Sequence, residues 1–256
     1  MLENLSHLSP VVLGSLAALA AGLATGIGAL PVLFIKEVPV RLLDALLGFA
    51  AGLMLSATAF SLLIPALEAG GIGRTVIGLF LGAAFIDLAD RFIPHFHPQP
   101  GIGKEGPSSS LRKVWLFAIA ITIHNFPEGL SVGVGFGGGD YSAGTILALA
   151  IGLQNMPEGL AVALPLVREG YSRPRALFYA TLTGLAEPPM GLLGAEAIFL
   201  MRPLLPYALA FAAGAMLYVI SDEIIPETHR RGYEREATFG LIIGFALMMV
   251  LDNLFG

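Results

Sequence analysis

Two copies of one short phrase interrupt otherwise apolar stretches: His124-Asn125-Phe126-Pro127-Glu128-Gly129-Leu130 and Gln154-Asn155-Met156-Pro157-Glu158-Gly159-Leu160. Imidazole nitrogen and carboxylate or amide oxygen are the donors that hold divalent cations. On a helix, residues four apart differ by about 40° in azimuth, so His124 and Glu128 share a face, as do Gln154 and Glu158. Asn125 and Asn155 lie on the flank of the same stripe. Pro127 and Pro157 cannot donate to the carbonyls of Ile123 and Leu153, which frees an oxygen beside each stripe. Glu187-Pro188-Pro189 repeats the pairing of a carboxylate with a helix breaker.

The elements that must position these groups are membrane spans. Of 256 residues, 55% are hydrophobic and 13% charged, with a mean hydropathy of +0.79. A soluble domain carries about 25% charged residues, so the composition predicts an all-α, polytopic membrane protein. There is no cysteine, which excludes thiolate metal sites and Cys-based catalysis. The net charge of −5 and scattered basic residues exclude a nucleic-acid surface. The first ten residues hold no Lys or Arg, so the first apolar run reads as a retained span rather than a secretory signal.

Eight apolar segments are long enough to cross a bilayer core of about 30 Å: residues 10–35, 41–66, 74–93, 113–136, 144–167, 175–200, 204–225 and 237–255. The Pro-, Gly- and Ser-rich stretch 94–112 reads as a mobile connection. Of the fourteen Lys and Arg residues, all but Arg74 and Arg202 fall after odd-numbered spans. The positive-inside rule puts those loops in the cytoplasm and both termini outside.

The sequence also repeats itself. Phe49-Ala50-Ala51-Gly52 returns as Phe211-Ala212-Ala213-Gly214, an offset of 162 residues. The same offset carries Gly78, Gly82 and Asp90 onto Gly240, Gly244 and Asp252, and Gly22 onto Gly184. Related spans run in opposite directions, which predicts an inverted 3+2+3 arrangement around the two central motif spans, a recurrent transporter plan. The midpoints of spans 2, 4, 5 and 6 fall near Met54, Asn125, Met156 and Glu187, one level in the membrane. Burying Glu128, Glu158 and Glu187 there costs roughly 2.5–3.5 kcal/mol each. No Lys or Arg lies at that depth, so a bound divalent cation or protonation must relieve them. The mixed donor set suits Zn²⁺, with Cd²⁺, Fe²⁺ and Mn²⁺ as further candidates, and is unlike an all-oxygen Mg²⁺ cage.

These motifs resemble those of the ZIP (Zrt/Irt-like) divalent-metal transporters in their bacterial form, over essentially the whole chain. The resemblance implies a binuclear centre halfway across the membrane. Its first site would be Met54, His124, Glu128, Gln154 and Glu158. Its second would be Asn125, Glu128, Asn155, Glu158 and Glu187, with both motif glutamates bridging. Many members carry His where this chain has Gln154. It further implies a release route near the cytoplasmic mouth at Asp90, His95, Asp222 and Glu223, with His97, Glu227 and His229 nearby, and an outer mouth at Ser61 and Glu68. An elevator mechanism would follow, with spans 1, 4, 5 and 6 moving against 2, 3, 7 and 8 within a homodimer in the cell (inner) membrane. Metal would be delivered to the cytoplasm without ATP, since no P-loop is present. Two alternatives remain at this stage. One is an intramembrane metal-dependent hydrolase, which would want a His-rich three-ligand site. The other is a metal-selective channel.

Overall fold

The computed structural model describes residues 8–35, 37–92 and 107–255, and within them every regular element is helical. Ten α-helices follow in chain order: α1 Pro10–Ala29, α2 Val40–Ala57, α3 Ile64–Phe92, α4 Pro107–Gly137 and α5 Tyr141–Arg168, then α6 Arg173–Gly184, α7 Glu187–Leu200, α8 Leu205–Val219, α9 Ile225–Thr228 and α10 Glu234–Phe255. Local chemistry sets several ends. Ser9 caps α1 by accepting from Val12 N at 3.3 Å, with Pro10 in the first turn where its missing donor costs nothing. Asp140 caps α5 by accepting from Ala143 N at 3.0 Å.

Five helical stretches are long and apolar enough to cross a membrane: Pro10–Leu33, Val40–Ala89, Tyr141–Arg168, Arg202–Thr228 and Glu234–Leu254. The chain is therefore a polytopic membrane protein. Its outer surface agrees, with Phe80 69% and Leu254 67% exposed, faces that water would not tolerate on this scale. Val40–Ala89 spans 50 residues, about 75 Å as one rod, but it is broken at Gly71, which has φ 70° and ψ 171°. Only glycine adopts that backbone freely. Residues 67–73, expected as a loop, are thus helical apart from one glycine. α4 falls outside the five, carrying His124, Asn125 and Glu128, whose polarity dilutes its apolar signal, and α6 and α7, at 12 and 14 residues, are each too short to cross alone.

Other boundaries also move. α4 starts at Pro107, inside the stretch expected to be a mobile connection. Proline followed by serines is a favourable helix start. The sixth segment breaks at Leu185 and Ala186, where Pro188 and Pro189 cannot donate to the carbonyls of Gly184 and Leu185. Pro188 and Pro189 occupy the first turn of α7, where they need no acceptor. Pro127 and Pro157 lie within helices that continue through them.

α2 packs mainly on α10, α3 on α8, α1 on α5 and α4 on α7. Glycines let these pairs touch backbone to backbone, and the touches recur at the offset of 162 residues. A Cβ at Gly52 would lie 2.0 Å from Leu241 O, and one at Gly214 would lie 1.9 Å from Leu79 O. A Cβ at Gly82 would lie 1.9 Å from Phe211 O, as one at Gly244 would lie 2.1 Å from Phe49 O. Cβ atoms at Gly22 and Gly184 would lie 2.2 and 2.1 Å from each other's carbonyl oxygens. Two π-helical turns, Thr58–Leu63 and Ile220–Ile224, begin at the same offset. Each is followed by a proline, Pro65 or Pro226, that cannot complete the regular ladder.

Candidate metal centre

α4 and α5 bring their motifs together, and α1, α6 and α7 close over them. His124, Asn125, Glu128, Gln154, Asn155, Glu158 and Glu187 are all buried, none more than 2% exposed. Hydrogen bonds knit the helices at this level. Gln154 Nε2 donates to Glu128 Oε1 at 2.6 Å, and Asn155 Nδ2 donates to Glu187 Oε1 at 2.6 Å and Ala21 O at 2.9 Å. Asn125 Nδ2 donates to Thr183 O at 2.7 Å. Each of these amides thus points its NH2 group at the protein, Asn155 making two bonds and Gln154 and Asn125 one each. What remains is a set of oxygens without a protein partner: Asn125 Oδ1, Gln154 Oε1, Asn155 Oδ1, Glu128 Oε2, Glu187 Oε2 and both oxygens of Glu158. Buried acceptors left unmade cost about 1–3 kcal/mol each. A cation surrounded by oxygens removes that cost for amide and carboxylate oxygens together, whereas protonation relieves only the carboxylates.

Glu128 lies within electrostatic reach of Glu158 and Glu187, and Glu158 within reach of His124. Among the described residues, no three His, Asp or Glu side chains converge closely enough to hold an ion by themselves. His124 Nε2 instead lies 2.6 Å from Glu223 Oε2, in the π-helical turn after α8. The expectation separated these two, one in the centre and one in the release route; the structure puts them in contact. Met54 is fully buried on α2 in the apolar core with Ile123 and Ile151.

Towards the side that the Lys/Arg distribution assigns to the cytoplasm, a cavity of about 430 Å³ is lined by Ala120, Ala161, Asp222, Glu223, Glu227, Arg168, Arg230 and Arg231. Ala120 is one turn from His124 and Ala161 three residues from Glu158, so this vestibule reaches the rim of the centre. Asp222 and Glu223 are therefore grouped as expected. His229 is not: its Nδ1 faces Ile225 O at 2.8 Å, closing its own helix, and its Nε2 faces Thr238. The Asp90 side chain and residues His95 and His97 lie outside the described residues. At the other end, Ser61 Oγ donates to Asp252 Oδ1 at 2.7 Å, whereas Glu68 is exposed. Sequence reasoning passed over two carboxylates in apolar runs, Asp252 and Asp44. Asp44 is fully buried and pairs with Arg231 at 2.9 Å. Their signal was the same as that of the motif glutamates, a charge where hydrocarbon is expected.

A family model for the ZIP zinc transporters matches residues 102–252, which contain both motifs, Glu187 and the vestibule acids. The chain belongs to the ZIP zinc transporter family. It is 46% identical to zinc transporter GufA of Myxococcus xanthus, over 95% of this chain and 99% of that one. Identity to zinc transporter ZIPB of Bordetella bronchiseptica is 44%, over 99% and 84%, and to human zinc transporter ZIP11 40%, over 83% and 88%. Membership of a transporter family sets aside the hydrolase alternative: this ZIP protein is a membrane metal transporter, not an enzyme.

Proposed function

We propose that this protein carries divalent transition-metal ions, zinc first and cadmium, iron or manganese besides, into the cytoplasm through the centre built by α2, α4, α5 and α7. The observation that carries the reading is the cluster of buried, partnerless oxygens on Asn125, Glu128, Gln154, Asn155, Glu158 and Glu187. Family membership supports metal as the cargo, and zinc is what the named relatives transport. His124 would join Met54, Gln154 and the two motif glutamates in the first site once it leaves Glu223, while both asparagines and Glu187 would complete the second.

The proposed architecture is eight spans in an inverted repeat. Support comes from the helix pairs: exchanging spans 1 with 6, 2 with 7, 3 with 8 and 4 with 5 turns α2–α10 into α8–α3, and α1–α5 into the α7–α4 pair. An elevator motion is favoured by where the ties lie. Arg173 Nη1 to Leu33 O, Trp115 Nε1 to Tyr171 Oη and the amide bonds of the centre join spans 1, 4, 5 and 6 among themselves. Arg41–Glu236, Asp44–Arg231, Tyr218–Asp87 and Ser61–Asp252 join spans 2, 3, 7 and 8. Of the ties described here, His124–Glu223 crosses between the two groups. The vestibule, on the side assigned to the cytoplasm, supports an inward-facing arrangement. Homodimerisation and residence in the cell (inner) membrane follow from the family resemblance.

Uptake of zinc and cadmium into proteoliposomes by wild type, His124→Ala and Glu158→Ala, with bound-metal stoichiometry, tests the reading. Both variants should insert in the membrane but transport little; Glu187→Ala should change rate or selectivity more than it abolishes uptake. Normal flux in the first two would refute the site.

A further inference from the structure

Thr25 on α1 is 1% exposed, and its Oγ1 has no hydrogen-bond partner. A buried threonine in a helix returns its hydroxyl to the carbonyl four residues back, as Thr58, Thr122, Thr145 and Thr181 do here. For Thr25 that carbonyl is Ala21 O, which already accepts Asn155 Nδ2 at 2.9 Å. The Thr25 hydroxyl does not take that ordinary partner, which the centre already uses. The side chain is held close to the helix break that precedes Glu187: a Cβ at Gly184 would meet Thr25 Oγ1 at 2.4 Å. On the other flank, a Cβ at Gly159 would meet Thr25 O at 1.9 Å, next to Glu158.

The internal repeat gives this hydroxyl a counterpart. An offset of 162 carries Thr25 onto Glu187 and Ala21 onto Thr183, while an offset of 30 relates Asn125 to Asn155. The contacts obey both relations. Asn155 donates to Ala21 O as Asn125 donates to Thr183 O. Gly159 rests on Thr25 as Gly129 rests on Glu187, whose carbonyl oxygen a Cβ at Gly129 would meet at 2.3 Å. One member of the pattern is incomplete. Asn155 Nδ2 also donates to the Glu187 carboxylate, whereas Asn125 Nδ2 donates to Thr183 O and the mirrored acceptor, Thr25 Oγ1, lacks a partner, as does Asn125 Oδ1.

We infer that the Thr25 hydroxyl is a sixth oxygen donor of the subsite made by Asn125, Asn155, Glu128, Glu158 and Glu187, standing opposite Glu187 across the pseudo-twofold axis. The inference rests on the metal-transport reading. Two amides, three carboxylates and a hydroxyl form an all-oxygen set, which suits a hard, octahedral ion such as Mn²⁺ better than tetrahedral Zn²⁺. A neutral hydroxyl binds weakly, so its effect is on which ion the subsite prefers. Thr25 is then a specificity-determining residue, outside both conserved-looking phrases.

The test uses the full chain, purified as wild type, Thr25→Val and Thr25→Ser, with equilibrium binding of Mn²⁺ and Zn²⁺ and melting of the metal-free protein. Valine keeps the shape and removes the hydroxyl. Mn²⁺ affinity of Thr25→Val should fall about tenfold with Zn²⁺ affinity unchanged, and serine should restore it. The metal-free valine variant should melt no lower than wild type, because the lost hydroxyl made no protein hydrogen bond. Equal Mn²⁺ affinity in wild type and Thr25→Val overturns the inference and leaves the metal centre standing. A loss that serine does not rescue, with a lower metal-free melting temperature, also overturns it, as a packing effect. Wild type that binds neither ion overturns the centre and this inference together.

Discussion

In the proposed metal centre Glu223 would compete with metal for His124, and neutralising it should tighten binding. His124 Nε2 and Glu223 Oε2 are 2.6 Å apart, with side chains 3% and 16% exposed, so solvent screens the contact little. A hydrogen bond to a charged group contributes about 1.5–3 kcal/mol net. If that contact must open before the imidazole can ligate, the apparent dissociation constant is the intrinsic one divided by the open fraction. Removing the contact then tightens binding by roughly ten- to hundredfold. The perturbation is Glu223→Gln, which keeps the shape and lowers the charge. Calorimetric Zn²⁺ titration should show higher affinity, while proteoliposome uptake should show a lower KM and a lower maximal rate, because the cytoplasmic acceptor for the leaving ion is weaker. A double-mutant cycle isolates the cause: in a His124→Ala background, Glu223→Gln should no longer tighten binding. Unchanged affinity in the single variant, or the same gain without His124, would refute the competition.

Two further outcomes follow from packing and charge. Gly214→Ala places a methyl 1.9 Å from Leu79 O, where neither backbone can yield; stability should fall by about 3 kcal/mol, seen as a lower melting temperature in detergent. Gly152→Ala, whose nearest contact is 3.7 Å, should melt like wild type. Arg231→Met strips the fully buried Asp44 of its counter-charge. The arginine is 35% exposed, so the loss should be about 1–3 kcal/mol, less than for a wholly buried pair. Melting curves should also show that Asp44→Leu added to Arg231→Met recovers most of it.

Polar residues inside apolar runs were the legible part. His124, Glu128, Glu158 and Glu187 stand out because their cost in hydrocarbon is large compared with any propensity signal. The repeat was legible too, since Gly52 and Gly214 are required by the same backbone approach in each half. What could not be read was governed by distant partners. Nothing local to His124 says that Glu223, about one hundred residues later in the chain, will sit beside it. The break in the sixth segment falls at Leu185 and Ala186, where Pro188 and Pro189 cannot donate to the carbonyls four residues back; that Gly184 meets Gly22 at this point depends on a partner helix. The π-helical turns left no pattern beyond the proline that follows each.

The repeat also explains why the two ends of the pathway differ. Glu223 and Ser61 are related by the offset of 162, as His124 and Gln154 are by the offset of 30. Inverting the structure about its pseudo-twofold axis would therefore replace the His124–Glu223 contact with Gln154 approaching Ser61, two neutral groups. In the arrangement described here Ser61 donates to the Asp252 carboxylate, so under the proposed elevator motion turning outward would exchange that bond for one between two neutral groups. Contacts to carboxylates would then hold one arrangement and a neutral contact the other, which would bias the empty carrier towards the cytoplasm. That bias would set the rates of resetting and loading, not the direction of net flux, which the metal gradient would decide. Under the same proposal the cargo is the key: an ion that draws His124 away from Glu223 would reduce the difference between the two arrangements and free the loaded carrier to move.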